Sequence, residues 1–390
     1  MTDHEASLPK TSVSGYSRLV GPVAAHIAFV MELTLVPLLL PALGVDFSLS
    51  VGTLAWVFNA YSIAVAAGVL IGGVLGDAFR TDRIFAVGVA TFACGSLLVA
   101  WSSGLETLIV GRVLQGFGAG VFSPLIPILL TRLASDKPGR ALILWGSIAG
   151  YIAAFAPLIY STTLDGTYWR FAFVVIAAQA SVALWILRGS NDGSCESTTA
   201  RPVVDYTSIL SASKLWLVFA YVFCTYGAIT FFLFRLPVWL SGNAVETGQI
   251  GLILSAMWLT FSAVSTLLRN KVDQDYVGAI MVAAPILIAV GLVLSLNQNT
   301  GLLIIASIFV GSGLAYSNAP STQMILRYAP NGLSGSSTCL DITFARFGGF
   351  VTVALLANFG LPIAAPVLTI LCIAAVFCSV LVCPPALRGA

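Results

Sequence analysis

The residues of this chain that could do chemistry are a few charged side chains inside long apolar segments. Glu32 lies about fourteen residues into the first segment, and Arg112 about seven residues into the fourth. At ~1.5 Å of rise per helical residue, both come to the same depth, ~10 Å from one membrane surface. A buried arginine keeps its charge and costs at least ~2.5–3.5 kcal/mol to insert, so it needs a buried acid, a watery cavity or both.

Other polar side chains share these segments. Gln115 lies one turn after Arg112 on the same helical face, so the pair predicts a polar stripe. Asp341 and Arg346 are five residues apart, ~140° around a helix, and need not pair with each other. Either could bind a charged substrate group or a partner in the other half of the chain. His26 lies six residues before Glu32 on a different face, where hydrogen-bonded packing is the favoured interpretation over proton carriage.

No pattern typical of an enzyme is present. The chain has two histidines, no H-x-x-x-H pair, no phosphate-binding loop with its lysine and no G-x-S-x-G sequence. We therefore expect no catalytic residues, no metal site and no cofactor. ATP cannot be the energy source unless another subunit supplies it, so an ion gradient or the gradient of the substrate itself must drive any transport.

The composition is that of a membrane protein with many spans. Of 390 residues, 58% are hydrophobic and 9% charged, with a mean hydropathy of +0.98, whereas soluble domains carry about 25% charged residues. The net charge of +2 comes without a basic run, so nucleic acid is not an expected partner. Six of the seven cysteines fall in apolar segments and are expected to be packing thiols: Cys94, Cys224, Cys339, Cys372, Cys378 and Cys383.

Twelve apolar segments predict twelve transmembrane helices. They lie at about 18–43, 52–76, 83–102, 105–131, 139–162, 168–188, 213–237, 247–268, 276–296, 301–326, 335–359 and 362–384. The first is too long for a signal-peptide core, so we expect it to be retained. The predicted fold is an all-α membrane protein with two pseudo-symmetric six-helix bundles. Its parts are a tail (1–17), a first bundle (18–188), a linker (189–212), a second bundle (213–384) and a tail (385–390).

The positive charges predict the orientation. With the N-terminus inside, cytoplasmic segments hold 14 of the 18 Lys and Arg residues, and outer segments hold only Arg170 and Arg235. This positive-inside bias places both termini in the cytoplasm. Short loops favour a bacterial inner (plasma) membrane.

An internal repeat agrees with two halves. At an offset of 195 residues, Gly116 matches Gly311 and Gly118 matches Gly313, which relates predicted span four to span ten. Parallel repeats of six spans occur in one large class of transporters. The charges do not repeat, because Arg112 corresponds to a serine, so one half is specialised.

Four short motifs carry a resemblance to a known family. They are Gly73-Val74-Leu75-Gly76-Asp77 after span two; Arg112, Gln115, Gly116, Gly118 and Ala119 in span four; Trp56 and Tyr61 in span two; and Trp169-Arg170-Phe171 at the start of span six. Through them the chain resembles the major facilitator superfamily over essentially its whole length, and within it the drug:proton antiporters. The antiporter motif of span five is incomplete, because Ile159 and Tyr160 stand where its closing glycines belong.

The resemblance implies a gate at the cytoplasmic end of span two. In the family, the aspartate matched by Asp77 meets the N-terminus of span eleven, here 332–337, whose free N–H groups favour an anion. We expect Gly73, Asp77, Arg80 and Arg83 to form this gate, although Ala78 replaces the usual basic residue. The alternative is a solvated loop acid.

The resemblance also implies that spans one and four line a central cavity, so Glu32 and Arg112 are predicted to meet there, directly or through water. Burial favours the protonated form of a carboxyl and a nearby arginine favours the charged form. Glu32 could therefore gain and lose a proton, with Arg112 tuning it and Asp341 available for a second proton. A purely structural ion pair remains the alternative.

The predicted function is export of a small amphipathic organic compound (a drug, a siderophore or a metabolite) in exchange for protons, by alternating access. The alternatives are proton-coupled or facilitated uptake of a nutrient or metal chelate and, more remotely, a non-transporting sensor. The partners expected are the small-molecule substrate, protons and the lipid bilayer, with the protein working as a monomer. Candidate substrate-binding residues are Asn59, Tyr61, Gln115, Tyr151, Tyr226, Trp258, Tyr316, Asn318 and Arg346.

Overall fold

The computed structural model describes residues 14–133, 138–163, 168–189, 207–268, 277–297 and 299–383. These residues form fourteen α-helices, and no strand is found among them. The helices are α1 (Ser14–Asp46), α2 (Val51–Ala78), α3 (Thr81–Ala100), α4 (Leu105–Phe122), α5 (Leu125–Leu133), α6 (Pro138–Thr163), α7 (Trp169–Gly189), α8 (Thr207–Ser211), α9 (Ser213–Gly242), α10 (Thr247–Leu268), α11 (Val277–Leu294), α12 (Thr300–Tyr328), α13 (Ser334–Leu356) and α14 (Leu361–Val382).

The helices account for the twelve predicted spans. Within the described ranges, eleven stretches are long and apolar enough to cross a membrane, and α6 supplies a shorter apolar stretch, Ile148–Thr163. The predicted fourth span is one such stretch but two helices, α4 and α5. Pro124 lies between them and has no N–H to donate, so the helical ladder stops at Ser123 N–H and resumes at Ile126 N–H.

The predicted linker is bounded by helices. The first half ends with α7 at Gly189 and the second begins with α9 at Ser213. Between them the five-residue helix α8 lies inside the predicted linker, which the sequence did not indicate. The remainder of the linker, 190–206, most of the predicted N-terminal tail and the whole predicted C-terminal tail lie outside the described residues.

The sequence repeat is also a repeat in packing. A Cβ atom on Gly116 of α4 would collide with the backbone carbonyl of Tyr61 in α2, and one on Gly311 of α12 would collide with that of Met257 in α10. The next matched glycines of α4 and α12 pack in the same way against α3 and α11. Small residues allow membrane helices to approach this closely. The two halves therefore share one arrangement, which confirms two six-helix bundles.

The two bundles share a core at one end only. We call the end where α1 ends and α2 begins the loop end, and the end where α1 begins and α14 ends the terminus end. At the loop end, one buried apolar cluster includes Leu39 and Leu43 of α1 together with Phe231 and Leu240 of α9. At the terminus end, each bundle has its own buried cluster, and Cys339 and Ile342 of α13 pack against that of the first bundle. The bundles therefore share a buried core at the loop end, whereas at the terminus end they meet through α13.

Candidate functional site

The centre of the first bundle holds a buried ion pair. Arg112 Nη1 of α4 lies 2.6 Å from Glu32 Oε1 of α1, and each side chain is only 1% exposed. Charge-assisted hydrogen bonds of this length are the strong ones. The predicted contact between these two residues is confirmed.

Three more groups hold the arginine in place. Its Nη1 donates to Gln115 Oε1 at 2.6 Å and its Nε to the Val57 carbonyl at 3.4 Å. The centre of its guanidinium lies 4.4 Å from the centre of the Tyr61 ring, an arrangement in which a cation is attracted to the ring face. The close approach of α4 to α2, which Gly116 permits, brings these groups within reach. Arg112 is thus fixed by its own helix, by α1 and by α2.

Gln115 supports Arg112 and does not line a cavity. Its Nε2 donates to Ser96 Oγ of α3 at 2.9 Å, and that hydroxyl donates to the Phe92 carbonyl at 2.8 Å. The Gln115 side chain is fully buried between α4 and α3. Its amide is used on both sides by protein groups in this structure, and a contact with substrate stays a prediction. The sequence predicted that Gln115 lies on the same helical face as Arg112, but it did not predict the hydrogen bond to Ser96.

A small cavity adjoins the ion pair. Its volume is about 40 Å³, enough for one or a few water molecules. The second carboxylate oxygen of Glu32, Oε2, is buried and accepts no hydrogen bond from the described residues. The cavity lies between the bundles, and the side chains around it are Glu32, Leu33, Val36, Pro37, Phe58, Tyr61, Ser62, Arg112, Thr230, Leu233 and Arg346. This oxygen therefore lacks a well-formed hydrogen bond in this conformation, with the Tyr61 hydroxyl as its neighbour.

The second bundle contributes its own charges to this region. Arg346 of α13 lines the cavity opposite the ion pair, and among the described residues it forms no ion pair. Asp341, five residues earlier, has a buried Oδ1 that accepts no hydrogen bond from the described residues. Tyr226 of α9 lies within electrostatic reach of both charges and donates to Asn318 Oδ1 of α12 at 3.1 Å. Four predicted site residues of the second bundle thus lie in one region.

Other predicted substrate contacts lie elsewhere. Asn59 is buried between α2 and α13, donates to the Phe350 carbonyl at 3.2 Å and lines a separate crevice at the loop end. Trp258 is buried in the core that the two bundles share, and Tyr151 is exposed and stacked on Phe155. Asn59 and Trp258 do not line the cavity beside the ion pair in this structure, and their contact with substrate stays a prediction. Tyr316 is half-buried on α12 and does not line the cavity either.

His26 is packed inside the first bundle, as the interpretation of a structural histidine expects. It is buried on α1, with its ring centre 5.9 Å from that of Phe29, and it lines neither cavity. Phe29 packs on the core of the first bundle at the terminus end.

The predicted gate is described only in part. A Cβ atom on Gly73 would lie 3.0 Å from the Cys339 Sγ atom of α13, so α2 and α13 touch near the terminus end. The side chain of Asp77 lies outside the described residues, although its backbone belongs to α2. Arg80 and Arg83 are exposed. The proximity of α2 to the start of α13 agrees with the expected location of the gate, and the role of Asp77 stays a prediction.

The motif at the start of α7 has a structural partner that the sequence analysis missed. Arg170 Nη2 lies 3.1 Å from Asp46 Oδ2 at the end of α1, and Trp169 Nε1 donates to the same oxygen at 3.2 Å. Arg170 Nη1 also donates to the carbonyl groups of Ala100 and Ser102 after α3. This cluster ties three helices of the first bundle together at the loop end. The sequence feature that could have predicted this contact is Asp46, an acidic residue at the end of the first span.

Sequence comparison shows the family to which the chain belongs. The sequence model of the Major Facilitator Superfamily matches residues 23–353. The chain belongs to the Major Facilitator Superfamily. Members of this family are transporters rather than enzymes, and the eleven long apolar stretches among the described residues agree with a multi-pass membrane protein. The likeness to the Major Facilitator Superfamily stated from the motifs is thereby confirmed.

Individual relatives agree with this assignment. The MFS-type transporter EfpA of Mycobacterium tuberculosis is 26% identical over 346 residues, which are 82% of this chain and 61% of EfpA. The puromycin resistance protein pur8 of Streptomyces alboniger is 33% identical over 168 residues, 43% of this chain and 33% of pur8. The chain therefore spans less than two thirds of the length of these relatives. The solved structure of the nucleoside transporter NupG shares the fold, with a TM-score of 0.75 at 10% identity, covering 94% of this chain and 99% of NupG.

Proposed function

We propose that this Major Facilitator Superfamily protein exports a small amphipathic organic compound in exchange for protons, by alternating access. The observation that carries the proposal is the Glu32–Arg112 pair, whose second carboxylate oxygen lacks a well-formed hydrogen bond, set beside a cavity between the bundles. A carboxyl that takes a proton loses its attraction to the arginine. Proton binding and the state of the central site are thereby linked.

The charges favour a competition between proton and substrate. When Glu32 is ionised it neutralises Arg112, and Arg346 then faces the cavity without an ion-pair partner among the described residues. When Glu32 is protonated, two guanidinium groups face the same cavity. A substrate with an N–H or positively charged group would compete with the proton for the Glu32 carboxylate, while its apolar part rests on Phe58, Leu33 and Leu233.

The arrangement of the cores supports alternating access. The bundles share a core at the loop end and meet at the terminus end through α13, so one end is held more firmly than the other, as alternation between two states requires. Transport would then proceed by opening the loop end as the terminus end closes. Asp341, close to Tyr226 and Asn318, is placed to take a second proton or a cationic substrate group.

The direction of transport rests partly on the relatives. One of them is named for resistance to puromycin, a function that export of the drug would provide. Uptake of a nutrient or a metal chelate on the same scaffold is the alternative, because the antiporter motif of α6 is incomplete. A sensor that moves no solute is the remote alternative.

One experiment separates these possibilities. A thermal-shift screen of amphipathic compounds, puromycin included, first identifies a ligand, because a compound that binds only the folded state raises its stability. The ligand is then added to proteoliposomes that contain a pH-sensitive dye. Exchange predicts proton movement opposite to that of the ligand, and symport predicts movement in the same direction. Ligand flux with no proton movement contradicts the coupling, and absence of both fluxes favours the sensor.

A further inference from the structure

The two bundles meet along a second interface, which α6 of the first bundle forms with α10 of the second. Both helices reach the loop end, where α6 ends and α10 begins. Their buried apolar side chains, among them Tyr160 of α6 and Ile250 of α10, belong to the core that the bundles share there. Because this interface joins the bundles, alternating access requires that it separates when the loop end opens.

At one point of this interface the helices leave no room for a side chain. A Cβ atom on Gly251 of α10 would overlap the Oγ and Cβ atoms of Ser161 in α6, and it would lie 3.0 Å from the Pro157 carbonyl oxygen. Gly251 and Ser161 are both buried, and Ser161 Oγ donates to the Leu158 carbonyl at 3.0 Å. Rotation of the Ser161 side chain would move Oγ but not Cβ, whose position the backbone of α6 fixes. The close approach of the bundles therefore depends on the glycine.

A close contact of this kind has different consequences within a bundle and between bundles. Gly116 packs α4 on α2, and both helices belong to the first bundle. A methyl group added there overpacks the protein whichever end is open. Gly251 packs against the other bundle, so overpacking at this position destabilises only the states whose loop end is closed. A substitution that raises the free energy of one state shifts the population toward the other.

The interface between α2 and α13 is more tolerant at the same end of the molecule. A Cβ atom on Gly52 would lie 2.7 Å from Asn358 Oδ1. That oxygen is the far end of a flexible and exposed side chain, which can turn away. Of the two glycine contacts between the bundles at the loop end, that of Gly251 with Ser161 is the one that side-chain rotation does not relieve.

We propose that Gly251 and Ser161 form a steric clasp: the loop end closes only because position 251 carries no side chain, and a single methyl group there holds the transporter open at the loop end. The clasp acts through shape alone and lies apart from the Glu32–Arg112 pair. This inference rests on the proposed alternating access, but not on proton coupling or on the direction of transport.

The test measures the distance between two spin labels across the loop end by pulsed electron paramagnetic resonance. Ser103→Cys after α3 and Asn243→Cys after α9 carry the labels, in the full chain with alanine at its seven native cysteines, in lipid nanodiscs. We expect a shorter distance for the closed state and a longer one for the open state. Gly251→Ala should lower the closed-to-open ratio at least about tenfold. Gly248→Ala is the matched control and should leave the ratio unchanged, because its Cβ atom would meet only the Ser161 carbonyl, at 3.9 Å.

Removal of the obstructing side chain should reverse the effect. Ser161→Gly deletes both side-chain atoms that the added methyl group would meet, so the double variant with Gly251→Ala is expected to regain the closed distance. Ser161→Val puts a methyl group in place of the hydroxyl and should also open the loop end, which keeps the clasp testable should Gly251→Ala fail to fold.

The outcomes separate the clasp from the proposed function. A ratio that neither Gly251→Ala nor Ser161→Val changes would overturn the clasp, and so would a ratio that Ser161→Gly does not restore in the double variant. In both cases two distances in the otherwise unsubstituted labelled protein would still support alternation. A single loop-end distance in that protein at acidic and at neutral pH would contradict alternating access and the clasp together.

Discussion

The Arg112 guanidinium lies inside a membrane helix with only 1% of its side chain exposed. Arg112 has a carboxylate, an amide oxygen and a carbonyl as acceptors, and the Tyr61 ring beneath it. Breaking a buried pair by removing one partner typically costs ~3–5 kcal/mol, because an uncompensated charge is left behind. The pair is therefore well held when Glu32 is ionised and under strain when Glu32 is protonated. That difference is what a proton-linked conformational change needs.

The supporting role of Gln115 can be tested directly. Gln115→Leu removes one acceptor from Arg112, and we expect it to lower the free energy of unfolding by ~1–3 kcal/mol and to reduce proton-coupled transport at least about tenfold. Ser96→Ala is the matched control, because it removes the outer partner of Gln115 and leaves the bond to Arg112 intact. Transport assays with equal amounts of reconstituted protein provide the measurement. Equal transport by both variants would show that Gln115 does not position Arg112.

Much of the central pair could be predicted from the sequence. Two opposite charges at equal depth in different apolar segments have few ways to be compensated, so the pairing of Glu32 with Arg112 could be predicted. The direction in which an uncharged polar side chain points from its helix could not be predicted, because an amide can find a hydrogen-bond partner on any side. Gln115 and Asn59 were accordingly expected in the central cavity, whereas one packs against α3 and the other against α13. Thr230 of α9 also lines the cavity, and nothing in the sequence distinguished it from the other polar residues of that helix.

At the scale of the element, glycines set the distance between helices. The repeat in sequence predicted that α4 and α12 are equivalent, and the packing of Gly116 and Gly311 explains the match. The division of the fourth span into α4 and α5 was not predicted, because twelve segments were counted by hydropathy and Pro124 is apolar. Pro124 interrupts the helical ladder inside an apolar segment, whereas α1 continues through Pro22, Pro37 and Pro41.

A pair of glycine variants tests this packing. Gly116→Ala places a methyl group against the Tyr61 backbone, and we expect overpacking to cost ~1–3 kcal/mol and to lower Tm in detergent. Gly146→Ala is the control, since a Cβ there meets nothing within 4 Å and alanine favours the helix. Thermal unfolding followed by tryptophan fluorescence compares the two variants. If Gly116→Ala unfolds at the wild-type temperature, close packing of α4 on α2 is not required.

At the scale of the whole molecule, the two bundles must move relative to each other along the contact between α2 and α13. These helices meet at both ends, through Asn59 with Phe350 near the loop end and through Gly73 with Cys339 nearer the terminus end. The sequence predicted two bundles from the repeat and the polar linker. It could not predict which end is closed, because both conformations of a transporter bury similar apolar surfaces.

A disulfide can fix this contact. A Cβ atom on Gly73 would lie 3.9 Å from the Cys339 Cβ atom, within the ~3.5–4.5 Å found in disulfides. We expect Gly73→Cys to form a disulfide with the native Cys339 on oxidation and to stop transport until a reductant is added. Val74→Cys, on the exposed side of the same helix, is the control and should remain active. Full activity of oxidised Gly73→Cys, with the disulfide verified by mass spectrometry, would show that α2 and α13 need not separate there.

Proton-driven transport by Glu32→Gln shows whether this carboxyl couples protons to the substrate. The amide keeps the shape of the carboxyl and its bond to Arg112 but cannot carry a proton. Proteoliposomes with a pH gradient measure uphill transport of the ligand found in the thermal screen, and ligand counterflow without a gradient measures the alternation of the bundles. The account predicts that Glu32→Gln loses uphill transport and retains counterflow. Uphill transport at the wild-type rate would contradict it.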